Sequence, residues 1–337
     1  MEIVFVHFGS KFPKHLILNL KRTCALFPDF SVVLITDSPE KLEIDEANFR
    51  MSCFIISHDY QTLNNNLSHP KGFRDNFWFT SLARIFALCD YVAANNVSIL
   101  HIESDVLVSG DLPIDLFANC DRPIAFTVVG RNSGVASVMW IENAEAAIQL
   151  REYSAKSAGE DPMTTDMKIL GSFQEDYPEL VRVLASFPIE IGNSHKLLPP
   201  KILEDFSYSA ELFDGFFDAA DIGRYLLGDD PRNHRGIKLL RRELDTSYFS
   251  PSEVRYLYSK SREFLDIESD STTRFFSLHI HSKNVDVFKR HGTRKVLSRA
   301  IRNQNRRHGR TLVLLVLVKA IQHSLKRRVD FLITRLK

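Results

Sequence analysis

The stretch that most constrains this chain is Ile99-Leu100-His101-Ile102-Glu103-Ser104-Asp105-Val106-Leu107. A short apolar run bounded by turn residues reads as a strand buried on both faces. This one stops abruptly at two carboxylates one residue apart. In an open α/β sheet, ligands bind outside the carboxyl ends of the strands, so these acids stand where ligands are held. Two carboxylates there hold a hard divalent cation, and Mg²⁺ or Mn²⁺ in turn holds a diphosphate. An acidic turn after a strand is the plain alternative, because Asp and Ser are common turn residues.

The surrounding pattern agrees with an α/β fold. Ile3 to Phe8 reads as a buried parallel strand ended by Gly9, and a helix is expected from about Pro13 to Phe27. Ser31 to Ile35 is a second apolar strand, followed by Thr36 and Asp37, and Cys53 to Ile56 a third. A helix from Trp78 to Ala94 precedes the strand Val97–Ile102. Strands alternating with helices in this way predict a doubly wound sheet, Rossmann-like in its first half. Further on, strands are expected at Pro123–Val129 and Val135–Ile141, and helices at Ala144–Ser157 and Asp161–Leu170. Residues 172–235 read as short strands and loops, with helices near 237–244 and 251–265, then a late strand Phe275–His281.

Length and composition narrow the classes. The chain has 337 residues, enough for a sizeable core. Its four cysteines, Cys24, Cys53, Cys89 and Cys120, show no C-x-x-C spacing, which argues against a zinc or redox pair. They read as small buried hydrophobes. The start Met-Glu-Ile-Val-Phe-Val-His lacks the basic and apolar regions of a signal peptide, so a cytoplasmic location is expected. The formal net charge of +1 hides an asymmetry: Lys289 to Lys337 carries 15 Lys or Arg and one acid, Asp330, leaving 28 basic and 41 acidic residues before it. An acidic body is thus followed by a basic tail suited to an anionic surface.

Five segments in order resemble the GT-A-fold nucleotide-sugar glycosyltransferases, over roughly residues 1–290. Glu103-Ser104-Asp105 resembles the family's Asp-x-Asp motif with Glu in first place. The resemblance makes Asp105 a metal ligand and assigns Glu103 to the metal or the donor ribose. Arg84, 21 residues before Asp105, matches the family's helix-borne arginine and is expected to pair with a motif carboxylate or a donor phosphate. Arg131-Asn132-Ser133-Gly134-Val135 looks like the Asn-Ser-Gly-Val element of retaining members, where a glycine lets backbone approach a sugar. Thr164-Thr165-Asp166 resembles the acidic segment near the donor sugar, with a helix N-cap as the plain alternative for Asp166. In His279-Ile280-His281-Ser282-Lys283, alternation along a strand puts both histidines on one face, with the lysine if the strand continues. It resembles the family's late His…Lys element, implying a metal ligand and a diphosphate cation. His281, nearer Lys283, is the expected ligand. His7, Phe8, Gly9 and Asp37 fall where the family faces the nucleotide. Asp218 and Asp221, in an aromatic and acidic stretch around Phe213–Asn233, are further candidates for sugar contact.

The implied organisation is a catalytic domain over 1–288, with a nucleotide-binding half (1–110) and an acceptor and metal half (111–288), then a basic helical tail (289–337). The implied activity is metal-dependent transfer of a sugar from a nucleotide-diphosphate sugar, UDP-sugar favoured, to a glycan, lipid-linked or protein acceptor. The resemblance implies Asp105, Asp166 and Arg84 as the catalytic residues. A donor-binding protein without turnover and a metal-dependent phosphoesterase are the rivals. In the tail, the apolar run Leu312–Val318 is too short to span a bilayer. Flanked by Arg306, Arg307 and Lys326-Arg327-Arg328, it is expected to lie on an anionic membrane, peripheral at the inner face, with a helix packed on the body or a tail for a partner protein as the plain alternatives. Aromatic side chains are sparse there, which argues against nucleic acid.

Overall fold

The computed structural model describes residues 1–54, 66–69, 76–190, 198–230, 247–251, 254–258, 265–267, 273–289 and 292–308. Residues 237–244, expected as a helix, and the tail beyond 308 lie outside the described residues. Strands β1 (Glu2–His7), β2 (Ser31–Thr36), β3 (Phe49–Cys53) and β4 (Ile99–Ile102) pair in parallel in the order β3-β2-β1-β4. Helix α1 (Lys14–Leu26) joins the first two strands, and α2 (Phe77–Asn95) leads into β4. The strand residues alternate between two cores, because successive side chains point to opposite faces. Ile3, Phe5, Val32 and Leu34 pack with Leu16 and Leu20 of α1, while Val4, Val6, Val33 and Ile35 pack with Leu82, Ile85 and Phe86 of α2. Helices therefore cover both faces, as a doubly wound sheet requires.

The sheet continues through β7 (Ser133–Ile141), β6 (Ile124–Gly130) and β8 (Val181–Leu184), giving seven strands in the order β3-β2-β1-β4-β7-β6-β8. Only β7 runs antiparallel to its neighbours, so the sheet is mixed and mostly parallel. Ile102, the last residue of β4, pairs with Val138, so Ser133 to Ser137 project past the carboxyl end of β4. Helix α3 (Ala144–Glu160) packs on α2, and α4 (Asp166–Asp176) lies along β7.

A second sheet completes the site. Strand β5 (Val106–Val108), which follows Asp105 directly, pairs antiparallel with β12 (Thr273–His279). Strand β9 (Phe216–Phe217) joins β12 in parallel, and β10 (Tyr256–Tyr258) and β11 (Leu265–Ile267) extend it. Helix α5 (Pro200–Phe213) covers β8, the seven-residue α6 (Asp221–Leu227) packs against β12, and α7 (Gly292–His308) packs on α6 and β10.

Several expectations change. The third strand begins at Phe49, not Cys53. It is an edge strand whose Arg50 and Ser52 are not buried, so its apolar signal is weak, and Cys53 is exposed rather than a buried hydrophobe. Within 172–235, a region read as strands and loops, α5 is 14 residues long. The Pro199-Pro200 pair suggested a loop, yet proline is tolerated in the first helical turn, where no intrahelical N–H bond is lost. The helix read near 251–265 is replaced at its described residues by β10, where aromatic Tyr256 and Tyr258 flank the exposed Leu257.

Gly134 owes its place to packing. A Cβ there would lie 2.6 Å from Leu170 Cβ of α4 and 2.8 Å from Phe126 Cε2. The close approach it allows is that of helix α4 to β7, whereas a sugar was expected to use it. Gly134→Ala is expected to destabilise the fold by about 1–3 kcal/mol, as overpacking does. A lowered urea midpoint checks this, and an unchanged midpoint contradicts it.

Candidate functional site

The carboxyl end of β4 holds a buried cluster. Glu103 and Asp105 are each 9% exposed and His279 is 6% exposed. One ligand atom from each of these three residues lies within 4.8 Å of the others. His279 Nε2 is 3.4 Å from Glu103 Oε2 and 3.5 Å from Asp105 Oδ1. Lys283 Nζ stands 3.6 Å from Asp105 Oδ2. The second sheet builds this arrangement. His279 pairs with Val106, one residue past Asp105, and the Ile280 N–H donates to the Asp105 carbonyl at 2.7 Å.

The structure puts His279, not His281, at the carboxylates. Strand β12 ends at His279, and the chain then turns, with Lys283 N–H donating to the Ile280 carbonyl at 2.8 Å. Strand alternation therefore does not carry on to residue 281. His281 stacks on the His279 ring instead, with centroids 4.0 Å apart. Lys283 returns to Asp105 from the turn, through a left-handed backbone at φ 49°.

Arg84 connects the cluster to α4. Its guanidinium donates to Glu103 Oε1 and, at 2.9 Å, to Asp166 Oδ2. It thus takes the carboxylate-pairing option of the two the sequence offered. Asp166 is the first residue of α4, and the cap is Thr165, whose hydroxyl accepts from Lys168 N–H at 3.2 Å. Three carboxylates thus face two basic side chains, Arg84 and Lys283.

The electrostatics follow. Burial opposes charge on Asp105, but Lys283 and His279 outweigh it and hold the carboxyl well below its ordinary range. Burial likewise opposes charge on His279, but Asp105 and Glu103 prevail and push the imidazole up to about 9. Burial raises Asp166 despite Arg84. His281, buried beside His279, is held well below its ordinary value.

The donor set fits a divalent cation. Two carboxylates and one imidazole are a suitable mixed set of ligands for a divalent metal ion. Glu103 Oε2 is buried and makes no hydrogen bond, an orphaned acceptor that faces the cluster.

The other sequence candidates are spread around this centre. Gly9 N–H donates to Asp37 Oδ1 at 2.8 Å, closing the ends of β1 and β2 together. His7 Nε2 lies 3.1 Å from the Lys11 carbonyl, and Phe8 meets Phe54 edge-on at 5.6 Å. Asn132 forms the β6–β7 turn at φ 52°, with its amide nitrogen turned to the Glu175 carboxylate. With Ser133 it lines a separate cavity of about 160 Å³ that also touches Gly171, Gln174, Glu175 and Tyr248. Asp221 accepts from the Ser247 hydroxyl. Asp218 is held by backbone N–H groups, so its carboxylate does not present a sugar-binding face.

Asn19 was not read from the sequence. It is fully buried in α1, and its amide donates to the Val106 carbonyl at 2.8 Å and the Ser104 carbonyl at 3.3 Å. It pins the acidic turn from behind. A polar residue between Leu16 and Leu20 on an apolar helix face was the available signal.

No protein-family model matches the sequence, and no curated relative matches it. Solved structures similar to this chain include glycosyltransferases. One is the galactosyltransferase LgtC in complex with donor and acceptor sugar analogues, at 17% identity, covering 55% of this chain and 73% of that one, TM-score 0.39. Another is mouse xyloside xylosyltransferase 1 in its apo form, at 12% identity, covering 58% and 91%, TM-score 0.38. A third is the PaToxG glycosyltransferase, at 9% identity, covering 63% and 78%, TM-score 0.36.

Asn19→Ala removes this donor from the buried Val106 carbonyl and the partly buried Ser104 carbonyl, which is expected to cost about 1–3 kcal/mol. Chemical denaturation measures it. A variant as stable as the parent shows that Asn19 does not hold the turn.

Proposed function

We propose that this chain is a metal-dependent glycosyltransferase that moves a sugar from a nucleoside diphosphate sugar, with a uridine diphosphate sugar favoured, to an acceptor hydroxyl of a glycan or of a lipid- or protein-linked glycoconjugate. The observation that carries this reading is the convergence of Glu103, Asp105 and His279 within 4.8 Å at the carboxyl end of a parallel strand. Lys283 beside Asp105 supports it.

Glu103, Asp105 and His279 would hold the divalent cation, which supplies neutralising charge for the departing diphosphate. Lys283 adds a second positive charge at the same place and meets a phosphate as a point charge. Arg84 is committed to Glu103 and Asp166 and keeps both carboxylates oriented. Asp166, on the far side of Arg84 from the cluster, is assigned to the sugar hydroxyls. Asp37 and the β1 end, His7 to Gly9, are assigned to the nucleoside, as acids at the second strand's end are in dinucleotide sites.

The basic segment extends the proposal to location. Arg294, Lys295, Arg299 and Arg302 are exposed on α7, and no acid occurs between Gly292 and His308. This face and the basic residues after it are assigned to the anionic inner surface of a membrane. The apolar helix α2 is long enough to cross a bilayer, but it is a core helix packed against the sheet. Sedimentation with vesicles containing anionic lipid is expected to capture the protein at low salt and release it at high salt. Equal capture by neutral vesicles contradicts an electrostatic surface.

The function is tested by thermal unfolding with UDP-, GDP-, CMP- and dTDP-sugars, each with and without Mn²⁺. A ligand at 100 times its Kd stabilises the native state by about 2.7 kcal/mol. Stabilisation by a UDP-sugar that needs Mn²⁺ is expected, abolished in Asp105→Ala and His279→Ala and kept in His281→Ala. No shift at millimolar nucleotide sugar removes the transferase reading, and hydrolysis of simple phosphate esters would then favour the phosphoesterase. Binding with neither transfer nor hydrolysis would mark a donor-binding protein without turnover.

A further inference from the structure

We propose that Asp218 is a positioning residue for the metal centre, fixing the rotation and the free nitrogen of His279 through the 218–219 segment. The inference rests on the metal-site reading above and adds a residue that does not touch the metal.

Asp218 is 1% exposed and is linked to two elements at once. Its Oδ1 accepts from the Ile222 N–H at 3.0 Å, and its Oδ2 accepts from the Gly223 N–H at 2.8 Å and the His279 N–H at 2.9 Å. Two of these donors belong to the first turn of α6. The third is the backbone of the proposed ligand itself. The next residue grips the ring: the Ala219 carbonyl lies 2.9 Å from His279 Nδ1. A carbonyl only accepts, so Nδ1 bears a proton, and when the ring gives up its other proton to bind a cation the lone pair is left on Nε2. Nε2 is the nitrogen facing Glu103 and Asp105. Hydrogen bonds of this kind, made by the other ring nitrogen of a ligating histidine, set its tautomer and orientation.

Two further contacts show that the clamp is tight and shared. A Cβ on Gly223 would overlap the His279 carbonyl and lie 3.0 Å from Asp218 Oδ2, so α6 sits directly on the end of β12. Ser137 Oγ donates to the Asp218 carbonyl at 3.2 Å, while the Ser137 carbonyl accepts from the Glu103 N–H at 3.1 Å. One residue of β7 thereby relates the position of Glu103 to that of His279. Capping α6 alone would not require a carboxylate this deep, nor a third bond to another strand.

The test compares full-length wild type, Asp218→Asn, Gly223→Ala and Asp205→Ala. Asp205 is a buried partner of Arg122 and Arg182, away from the cluster, and serves as a control for simple loss of stability. Mn²⁺ binding is followed from the electron paramagnetic resonance signal of the free ion. In parallel, ¹⁵N-histidine labelling follows the His279 Nδ1–H in the metal-free protein. Asp218→Asn is expected to weaken Mn²⁺ binding about 10–100-fold, the usual cost of losing such a supporting bond, and to broaden or shift the His279 Nδ1–H signal. Gly223→Ala, which presses on the same strand end with Asp218 intact, is expected to move both readouts the same way. Asp205→Ala is expected to lower the unfolding midpoint while leaving both unchanged. Wild-type Mn²⁺ affinity and an unaltered ring signal in Asp218→Asn, or an equal loss in Asp205→Ala, overturn the proposal. If wild type binds no Mn²⁺, the functional reading falls, and the ring signal still decides whether Asp218 positions His279.

Discussion

Arg84 occupies the point on which the site depends. It comes from the middle of a core helix, and its guanidinium joins the acid after β4 to the acid that opens α4. Taking three carboxylates out of water is costly, and the cost is recovered only where cations and hydrogen bonds are placed well. A guanidinium suits that role, because its planar fork serves two carboxylates in fixed directions and stays charged at any ordinary pH. With Arg84 in place, Glu103 has one oxygen anchored and the other left facing His279 without a hydrogen bond. Half of the carboxylate holds the frame and half remains for a ligand.

The backbone around this centre is arranged so that four separate segments reach one place. The acidic turn is held from behind by Asn19, from the side by Ser137 of β7, and from the front by Ile280 after β12. The mixed character of the sheet matters here. Because β7 runs antiparallel and projects beyond β4, it presents Ser137 to Glu103 and carries α4 along its length, which brings Asp166 to Arg84. The second sheet then delivers the histidine, since β5 leaves the acidic turn and pairs at once with β12. A short strand after an acidic motif is thus the connection between the parallel half of the first sheet and the late histidine and lysine.

Much of this was readable from the residues, and the failures share a cause. Buried strands β1, β2 and β4 and helix α2 carry strong apolar periodicity, and the acids at 103 and 105 interrupt it sharply. Arg84 and Asp166 were nominated by resemblance to a family's helix-borne arginine and acidic segment. His281 was preferred to His279 for its nearness to Lys283, but the strand stops at His279, and where it stops depends on pairing with β5, about 170 residues away in the chain. Asn19 and Asp218 act through backbone groups of distant segments, so a polar residue on an apolar helix face or an acid in an aromatic stretch could be noticed but its role could not be read. Gly134 was noticed for the right property, absence of a side chain, but the neighbour that needs the space is Leu170 of α4. Edge strand β3 and helix α5 were misplaced for local reasons, polar residues in one and a Pro-Pro start in the other.

The central claim is that Glu103, Asp105 and His279 form a single metal centre at the end of β4. The most direct measurement is a crystal structure of the protein soaked in Mn²⁺, with data collected at a wavelength where manganese scatters anomalously. The account predicts one strong anomalous peak bounded by a carboxylate oxygen of Glu103, a carboxylate oxygen of Asp105 and Nε2 of His279. An empty cluster at saturating Mn²⁺, or a peak held by His281 with His279 turned away, would contradict it.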